Sequence, residues 1–352
     1  MGMIKKIVCL HPNIHSIDEF YKYFCLNTDK LNVELRWDTK TPEYVFITEH
    51  VYKDKKIFKT FERYYKNLEH AIYIFQGGEA VMPDLNIFDY AISLSRDLEC
   101  SDRVSRIPPN YFYSRYLCGD EFENTLNKID ALERCPKLKF CNFIYSNPNS
   151  HPMRDKLFHK ICEYKKVDSL GGHLNNTGMM PTRRKQNWAE LSIRQKSQYK
   201  FTIASENETF EGYTSEKLLT TFEAHSVPIY WGNPSVASEY NEDAFINCNK
   251  YKSMDEIIAA IRKIDEDDTL WAEMVSSPWQ TETQRKTMED EYVQYLEFMN
   301  NLFGVSNHKR PAGTFTNFYQ EWFFRTFKPK RHIIRDSYKT IMRKVNIILK
   351  RI

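Results

Sequence analysis

The sequence predicts an α/β protein made of two units of parallel sheet, followed by a basic amphipathic helix. Short strand-like runs alternate with helical stretches in the first 135 residues, which is typical of a doubly wound sheet. A second series of such elements begins near residue 140 and contains a complete strand–helix–strand pattern. After Pro329, apolar residues recur at spacings of three and four among many cations, which predicts the terminal helix.

The elements of the first unit are predicted from its apolar runs. Strands are expected at residues 4–10, 44–47, 73–75 and 89–94, and a short helix is expected at residues 17–24. Short strands that alternate with helical stretches in this way predict a parallel, doubly wound sheet.

The third of these strands leads directly into Gly77, Gly78 and Glu79. Paired glycines permit a tight turn, which would place a carboxylate at the carboxyl end of a strand, where clefts form. A loop glutamate is, however, more often a solvated surface residue. The residues alone therefore leave Glu79 as either a surface carboxylate or a catalytic one.

A helix and a linker are predicted at residues 120–134, and the second unit then begins with a strand at residues 140–145. A Ser-Asn-Pro-Asn turn follows, and Arg154 then lies near the start of a helix whose apolar face includes Leu157 and Ile161. Arg154 is either an exposed arginine of an amphipathic helix or a phosphate-binding group. The second interpretation is chemically reasonable because a planar guanidinium matches two phosphate oxygens at once.

The strand–helix–strand pattern occupies residues 199–236. Alternating apolar residues predict a strand at residues 199–204, and a short apolar strand returns at residues 227–230. Between them, Thr214 is the expected N-cap of a helix with one apolar stripe. The ligand end of such a unit is the loop that joins its first strand to the helix.

Four polar residues lie at this ligand end: Asn207, Tyr213, Glu216 and Lys217. A lysine in the first helical turn is unusual, because a helix N-terminus already carries partial positive charge. A bound phosphate would reverse the balance, since backbone N–H groups and the ammonium group would then converge on one anion. The alternative is that Lys217 is simply solvated.

Residues 201–236 read FTIASENETFEGYTSEKLLTTFEAHSVPIYWGNPSV. This stretch resembles the signature of the α1,3/1,4-fucosyltransferases of glycosyltransferase family ten, which has an aromatic-rich strand, Glu-Asn, Tyr, Glu-Lys, Val/Ile-Pro and Trp/Gly in that order. The similarity extends over most of the chain between about residues 73 and 303. The chain resembles the short bacterial members of the family more than the membrane-anchored animal members.

Two upstream segments carry the same resemblance. QGGEAVMPDLNIFDYAISL is similar to the family segment whose glutamate acts as the catalytic base, which implies that role for Glu79, although Ala80 replaces the usual asparagine. SNPNSHPMRDKLF is similar to the segment whose arginine contacts the donor diphosphate, which implies that role for Arg154. In YKKVDSLGGHLNN, Leu170 is an extra residue and His173 replaces the usual arginine, so no ligand role is carried over.

The resemblance also implies roles at the ligand end of the strand–helix–strand unit. It implies that Lys217 and Arg154 bind the diphosphate with the helix N-terminus, that Glu216 binds ribose hydroxyls, and that Asn207 and Tyr213 line the nucleotide pocket. Because these cations belong to the protein, no cofactor is expected to be required, although a divalent metal could stimulate the reaction.

The implied fold is GT-B, in which two Rossmann-like domains face each other. We expect an acceptor-side domain with the base in residues 1–135, a GDP-sugar-binding domain in residues 136–305 and an extension in residues 306–352. The expected function is that of an inverting α1,3-fucosyltransferase, which moves L-fucose from GDP-fucose to a GlcNAc or glucose hydroxyl of a glycan. Two alternatives stay open: a transferase for another nucleotide sugar such as GDP-mannose, or a catalytically inactive glycan-binding protein.

Composition excludes several other classes of protein. No run of eighteen apolar residues exists and the N-terminal apolar stretch is short, so neither a membrane span nor a signal peptide is expected. The eight cysteines form no CxxC pair and are expected to be reduced thiols, which favours the cytosol. Residues 265–267 formally fit a metal-binding DxD pattern, but capping of the following helix explains them more simply. No nucleic-acid partner is expected.

The C-terminal tail concentrates positive charge. From Lys328 onward there are nine Lys or Arg residues against one Asp, a net charge of +8, whereas the remaining chain carries 41 basic against 46 acidic residues. One helical face of residues 331–352 is apolar, which predicts binding to an anionic membrane surface at the inner face of the cytoplasmic membrane, near lipid-linked glycan acceptors. The alternative is a helix that packs on the protein or pairs with a second copy.

Overall fold

The computed structural model describes residues 3–79, 81–97, 101–114, 128–134, 138–178 and 188–309. The basic tail at residues 331–352 lies outside these ranges, so its predicted helix and its partner stay predictions. None of the helices described between residues 3 and 309 combines the length and the apolar character needed to cross a lipid bilayer.

Six parallel strands form the first sheet in the spatial order β2-β1-β3-β4-β5-β6. Their bounds are β1 Met3–Leu10, β2 Val33–Trp37, β3 Tyr44–Thr48, β4 Ile72–Gln76, β5 Tyr90–Ser93 and β6 Val104–Arg106. The helices among them are α1 Ile17–Tyr23, α2 Lys55–Asn67 and α3 Pro109–Tyr113. The four strands and the helix that the sequence predicted are thus confirmed.

Two strands, β2 and β6, and two helices, α2 and the five-residue α3, were missed in the sequence of the first unit. Strand β2 lies at the sheet edge, and Glu34 and Arg36 point their charges outward, so it lacks a continuous apolar run. Strand β6 has three residues, which is too short for a periodic signal. Helix α2 buries Phe58, Phe61 and Tyr64 against the sheet, although lysines interrupt its apolar stripe in sequence.

The second sheet has five parallel strands in the order β11-β10-β9-β7-β8. Their bounds are β7 Lys139–Phe143, β8 Val167–Ser169, β9 Tyr199–Ser205, β10 Val227–Trp231 and β11 Ile246–Asn247. The helices of this half are α4 Lys128–Arg134, α5 Met153–Tyr164, α6 Trp188–Lys196, α7 Glu216–Glu223, α8 Val236–Glu239, α9 Met254–Asp265, α10 Asp268–Ser276 and α11 Glu282–Leu302. The predicted strand–helix–strand unit is confirmed as β9, α7 and β10.

The N-cap of α7 is Ser215, so the prediction of Thr214 was wrong by one residue. The Ser215 hydroxyl accepts a hydrogen bond from the backbone N–H of Lys217. The Thr214 hydroxyl instead accepts a hydrogen bond from the side-chain amide of Asn233 at 3.0 Å, which removes it from a capping role. Strand β11 has only two residues, and a 3-10 turn at Glu242–Ala244 precedes it.

The last described helix, α11, returns to the first sheet. Tyr295, Met299 and Phe303 belong to the same apolar core as Tyr44 and Phe46 of β3. The Tyr295 hydroxyl donates to a main-chain oxygen of the first unit at 2.7 Å, and the Tyr44 hydroxyl donates to Phe303 O at 2.8 Å. The sequence placed this helix with the second unit, but its buried side chains cover the first. The domain boundaries drawn from the sequence stay predictions.

A buried ion network also joins the two halves of the chain. Arg106 at the end of β6 donates to Glu239 of α8 at 2.7 Å and to Glu291 of α11 at 2.5 Å. Arg96 reaches the same two carboxylates at 3.0 and 2.6 Å. Burial raises the pKa of Glu239, and Arg106 and Arg96 oppose that rise. The network fixes α8 and α11 against the carboxyl end of the first sheet.

We expect Glu239→Gln to lower the free energy of unfolding by about 3 kcal/mol, because it leaves buried guanidinium groups short of one negative partner. The measurement is urea unfolding followed by circular dichroism. Glu62→Gln is the matched control, since it breaks an exposed pair with Lys66 and should change stability by less than about 1 kcal/mol. Equal effects in the two variants would show that the network does not hold the halves together.

Candidate active site

The two sheets present the carboxyl ends of their strands to each other at one point. Glu79 follows β4 of the first sheet, and Asn207 follows β9 of the second. The Asn207 amide nitrogen donates to Glu79 Oε2 at 3.1 Å, so the two loops are in direct contact. In both sheets the strand order reverses beside this edge, between β1 and β3 and between β7 and β9, which is where ligands bind in doubly wound sheets.

Arg154 is the first cation of this edge. It lies in the first turn of α5, is only 1% exposed, and places its guanidinium 4.1 Å from the ring centre of Tyr145. Its Nη2 atom donates to Ser205 O at 3.0 Å and to Asn207 Oδ1 at 2.6 Å. Its Nε atom is buried and has no hydrogen-bond partner among the described residues. Arg154 therefore keeps donor capacity at the loop after β9.

Asn207 is held by its backbone as well as by its side chain. The backbone N–H of His151 donates to Asn207 O at 2.8 Å, and the His151 ring stacks on Trp231 with ring centres 4.5 Å apart. Trp231 ends the neighbouring strand β10, so both loops beside Asn207 restrain it. The amide that links Arg154 to Glu79 is therefore fixed in place.

Lys217 is the second cation, and it lies in the first turn of α7 as the sequence indicated. Its Nζ atom donates to the Ser215 hydroxyl at 2.9 Å and to Glu206 Oε2 at 3.2 Å. Burial opposes the charge of this lysine, but the carboxylates of Glu206 and Glu216 outweigh burial and raise its pKa above the ordinary value. Lys217 thus stays protonated at the helix N-terminus.

Glu206 is a site residue that the sequence analysis did not single out. It is fully buried, and its carboxylate also accepts hydrogen bonds from the Ser215 N–H and the Ser215 hydroxyl, at 2.8 and 2.6 Å. A Cβ atom on Gly232 would lie 2.3 Å from Glu206 Cγ, so the glycine makes room for the carboxylate. The available signal was its position directly after β9, the same position that drew attention to Asn207.

Glu216 and Tyr213 lie on either side of this pair. The Glu216 carboxylate is 3.8 Å from Lys217 Nζ and is partly exposed, so it can accept hydrogen bonds from a ligand beside the lysine. Tyr213 is almost fully buried and stacks on Phe210 with ring centres 4.7 Å apart. Burial, followed by the nearby carboxylates, raises the pKa of Tyr213 well above its ordinary value, so its hydroxyl is neutral.

Polar rings line the first-sheet side of the edge. The His11 ring lies 4.6 Å from the ring of His50 and 4.8 Å from that of Tyr23, and all three side chains are partly exposed. The Tyr23 hydroxyl donates to the side-chain oxygen of Gln76 at the end of β4 at 3.0 Å. Such rings offer hydrogen bonds and apolar faces to a neutral, hydroxyl-rich ligand.

The other candidate ligand groups have structural partners. Within the described ranges, no three His, Cys, Asp or Glu side chains converge in a way that could hold a metal ion. Asp267 caps α10 by accepting from the N–H groups of Thr269 and Leu270, which confirms the capping interpretation. His173 forms a 2.7 Å hydrogen bond with Asp155 on α5.

Comparison with protein families identifies one match. Residues 135–318 match the model of the glycosyltransferase family 10 (fucosyltransferase) C-terminal region. The chain is 29% identical over 234 residues to an α-(1,3)-fucosyltransferase of Helicobacter pylori, an alignment that covers 59% of this chain and 47% of that protein. It is 28% identical over 196 residues to a GDP-fucose protein O-fucosyltransferase 3 of Bos taurus, covering 53% and 38% of the two chains. The chain thus spans about half or less of the length of these relatives.

Two solved structures resemble the whole described fold. A crystal structure of an α1,3-fucosyltransferase with GDP-fucose superposes with a TM-score of 0.62 at 22% identity, over 89% of this chain and 94% of that one. A second crystal structure of an α1,3-fucosyltransferase superposes with a TM-score of 0.60 at 22% identity, over 84% of this chain and 91% of that one. The prediction of two facing Rossmann-like units in the GT-B arrangement is confirmed.

Proposed function

The chain belongs to glycosyltransferase family 10, the fucosyltransferase family, and on that premise we propose that it transfers L-fucose from GDP-fucose to a glycan hydroxyl with inversion at the sugar C1. The observation that supports this most is the contact chain from Arg154 through Asn207 to Glu79. This chain of contacts places a cation for the leaving diphosphate, from the second unit, close to a carboxylate for the incoming hydroxyl, from the first unit. The relatives named above are described as fucosyltransferases, and one name includes GDP-fucose.

The second unit is proposed to bind GDP. Lys217 stays charged because Glu206 neutralises the cost of burying it, so an ammonium group is available at the start of α7. Arg154 has a buried Nε donor without a partner among the described residues. As the bond between fucose C1 and the β-phosphate oxygen breaks, negative charge grows on that oxygen, and two protein cations stabilise it without a cofactor.

The first unit is proposed to supply the base and the acceptor side. Among the described residues, the Glu79 carboxylate is engaged through Oε2 alone, which leaves Oε1 for an acceptor hydroxyl. In the transfer step the acceptor O–H bond breaks and its proton goes to Glu79, while the oxygen forms a bond to fucose C1 and GDP departs with the electron pair. The rings of His11, Tyr23 and His50 suit a neutral sugar such as GlcNAc or glucose.

Donor hydrolysis with GDP-fucose, GDP-mannose and UDP-galactose separates the proposal from its two alternatives. We expect GDP-fucose to be consumed. Turnover of GDP-mannose alone would favour a transferase for another nucleotide sugar. Glycan binding without turnover of any donor would favour a catalytically inactive glycan-binding protein. A mass-spectrometric screen against lactose and the type 1 and type 2 disaccharides then identifies the acceptor and the linkage.

The basic tail is proposed to hold the protein at an anionic membrane, which would place it at the inner face of the cytoplasmic membrane. Its charge of +8 opposes pairing with a second copy, whereas lipid headgroups would satisfy the cations and the bilayer would accept the apolar face. Lipid-linked glycans would then be acceptors within reach. The supporting observation is the sequence pattern of residues 331–352.

We expect Glu79→Gln to lower the rate of transfer by about 10²- to 10⁴-fold, because glutamine keeps the shape and the Asn207 contact but cannot accept a proton. GDP affinity measured by calorimetry should be nearly unchanged, since the cations that bind the diphosphate lie on the other unit. Glu43→Gln, at the opposite end of the neighbouring strand β3, is the matched control and should keep full activity. A collapse of GDP affinity in Glu79→Gln would assign Glu79 a structural role.

Lys217→Ala and Arg154→Ala should each weaken GDP binding by about 10- to 100-fold, since each removes a charge-assisted hydrogen bond to the diphosphate. Arg154→Lys should restore only part of the affinity, because an ammonium group cannot form the bidentate contact. Lys250→Ala is the control, because this lysine forms an exposed ion pair with Glu242. Melting temperatures recorded alongside identify any variant that loses affinity through misfolding. Wild-type GDP affinity in both alanine variants would refute the proposal that these two cations bind the diphosphate.

Deletion of residues 328–352 should abolish sedimentation with anionic liposomes at low salt and leave GDP binding intact. Neutral phosphatidylcholine liposomes are the control and should not bind either protein. If the full-length chain stays in the supernatant with anionic liposomes, the membrane proposal is wrong and the tail packs on protein.

A further inference from the structure

Three glutamates are almost completely buried among the described residues, and one of them differs from the other two. Glu206 is paired with Lys217, and Glu239 is paired with Arg96 and Arg106. Glu49 is 5% exposed, yet no lysine or arginine of the described residues lies within ion-pair distance of it. Its carboxylate accepts a hydrogen bond from the Gly78 N–H at 3.4 Å, and the His50 ring lies 4.0 Å away. A carboxylate without a close cation is costly to bury in its charged form.

The position of Glu49 connects it to the proposed base. Strands β3 and β4 are parallel neighbours, and Thr48 pairs with Gln76 at their carboxyl ends. Glu49 and Gly77 are therefore the first residues after these two strands, at the same edge of the sheet. The Gly78 N–H donates to the Glu49 carboxylate. Glu79 follows Gly78 in the sequence, so the Glu49 carboxylate contacts the backbone of the residue next to Glu79. Both glutamates lie at the carboxyl edge of the first sheet, where the strand order reverses.

We propose, resting on the proposed function, that Glu49 is a positioning residue for the base. When Glu49 is ionised, it places a second negative charge across Gly78 from Glu79. This charge sets the pH range in which Glu79 accepts the proton of the acceptor hydroxyl. Glu49 itself does not touch the substrate. The charge of Glu79 is one of the causes that raise the pKa of Glu49, so the two carboxyl groups interact across this segment.

The electrostatic surroundings support this assignment. Burial is the largest influence on Glu49 and, with the charge of Glu79, it raises the pKa of Glu49 to about 7 against the opposing backbone N–H groups and Lys53. The other titratable groups that face it are Cys9 of β1, whose pKa is raised by burial and by Glu49, and His50 of its own turn.

Ionisation of Glu49 near neutral pH should make Glu79 a stronger base. A second negative charge beside Glu79 stabilises its protonated form, so proton transfer from the acceptor becomes more favourable as pH rises through about 7. The proton that Glu79 takes from the acceptor returns to water after the product leaves. The pair thus changes the strength of the base and not the stoichiometry of the reaction.

The first test is the pH dependence of kcat/KM for transfer by the wild type, Glu49→Gln and the matched control Glu43→Gln. The wild type and the control should show a rise of about two- to fivefold between pH 6 and pH 8, as expected for a modest change in base strength. Glu49→Gln should lack that rise while keeping wild-type GDP affinity. A rise of the same size in Glu49→Gln overturns the proposal.

The second test needs no activity and so separates this proposal from the proposed function. The folded-state pKa of Glu49 is raised above its unfolded value, so its contribution to stability is present below the ordinary glutamate pKa and is lost as pH rises through about 7. The wild-type melting temperature should therefore fall between pH 5 and pH 8 by more than that of Glu49→Gln. The difference between the two proteins isolates the contribution of Glu49 from those of the groups that both proteins share.

Glu79→Gln provides the reciprocal variant, because coupling between two groups acts equally in both directions. Removing the Glu79 charge should move the pH-dependent fall in melting temperature to lower pH than in the wild type. The comparison of Glu79→Gln with the wild type also tests the proposal if Glu49→Gln does not fold. Identical pH dependence of melting in the wild type and Glu79→Gln would show that the two carboxyl groups are independent and would overturn the proposal, even if fucose transfer is found.

Discussion

The contact on which the rest of the site depends is the side-chain amide of Asn207. Its oxygen accepts from Arg154 at 2.6 Å and its nitrogen donates to Glu79 at 3.1 Å. An amide can satisfy a cation on one side and an anion on the other while carrying no charge itself. Asn207 therefore keeps Arg154 and Glu79 from forming a direct ion pair, which would occupy both. In the proposed mechanism, leaving-group stabilisation and proton acceptance therefore stay with separate groups.

The parts of this arrangement that lie close together in sequence were predictable. The period-two pattern of β9, the polar loop and the apolar stripe of α7 fall within forty residues, so local rules identified the unit, and the resemblance then named Arg154, Lys217 and Glu79. The N-cap was wrong by one residue because Thr214 and Ser215 are both suitable hydroxyl residues. Asn233 decides between them by donating to Thr214, and nothing in the local sequence reports that contact.

The residues that sequence reasoning missed owe their character to distant neighbours. Glu206 is buried because Gly232 leaves space for it and because Lys217 lies beside it. Glu49 is buried by a neighbouring strand and by the Gly78 loop, which follow it by more than twenty residues. Both directly follow a strand, which is a signal, but that position does not distinguish a buried carboxylate from a solvated one. The ion network of Arg106 depends on α8 and α11 in the same way.

The return of α11 to the first sheet has a consequence for how the chain is made. Tyr44 and Phe46 of β3 are synthesised early, but the side chains that cover them, such as Tyr295 and Phe303, leave the ribosome some 250 residues later. Until then the core on this face of the first sheet is incomplete, because α1 supplies only part of its cover through Phe20 and the C-cap residue Phe24. The packing of the amino-terminal half is therefore completed only after α11 has been translated.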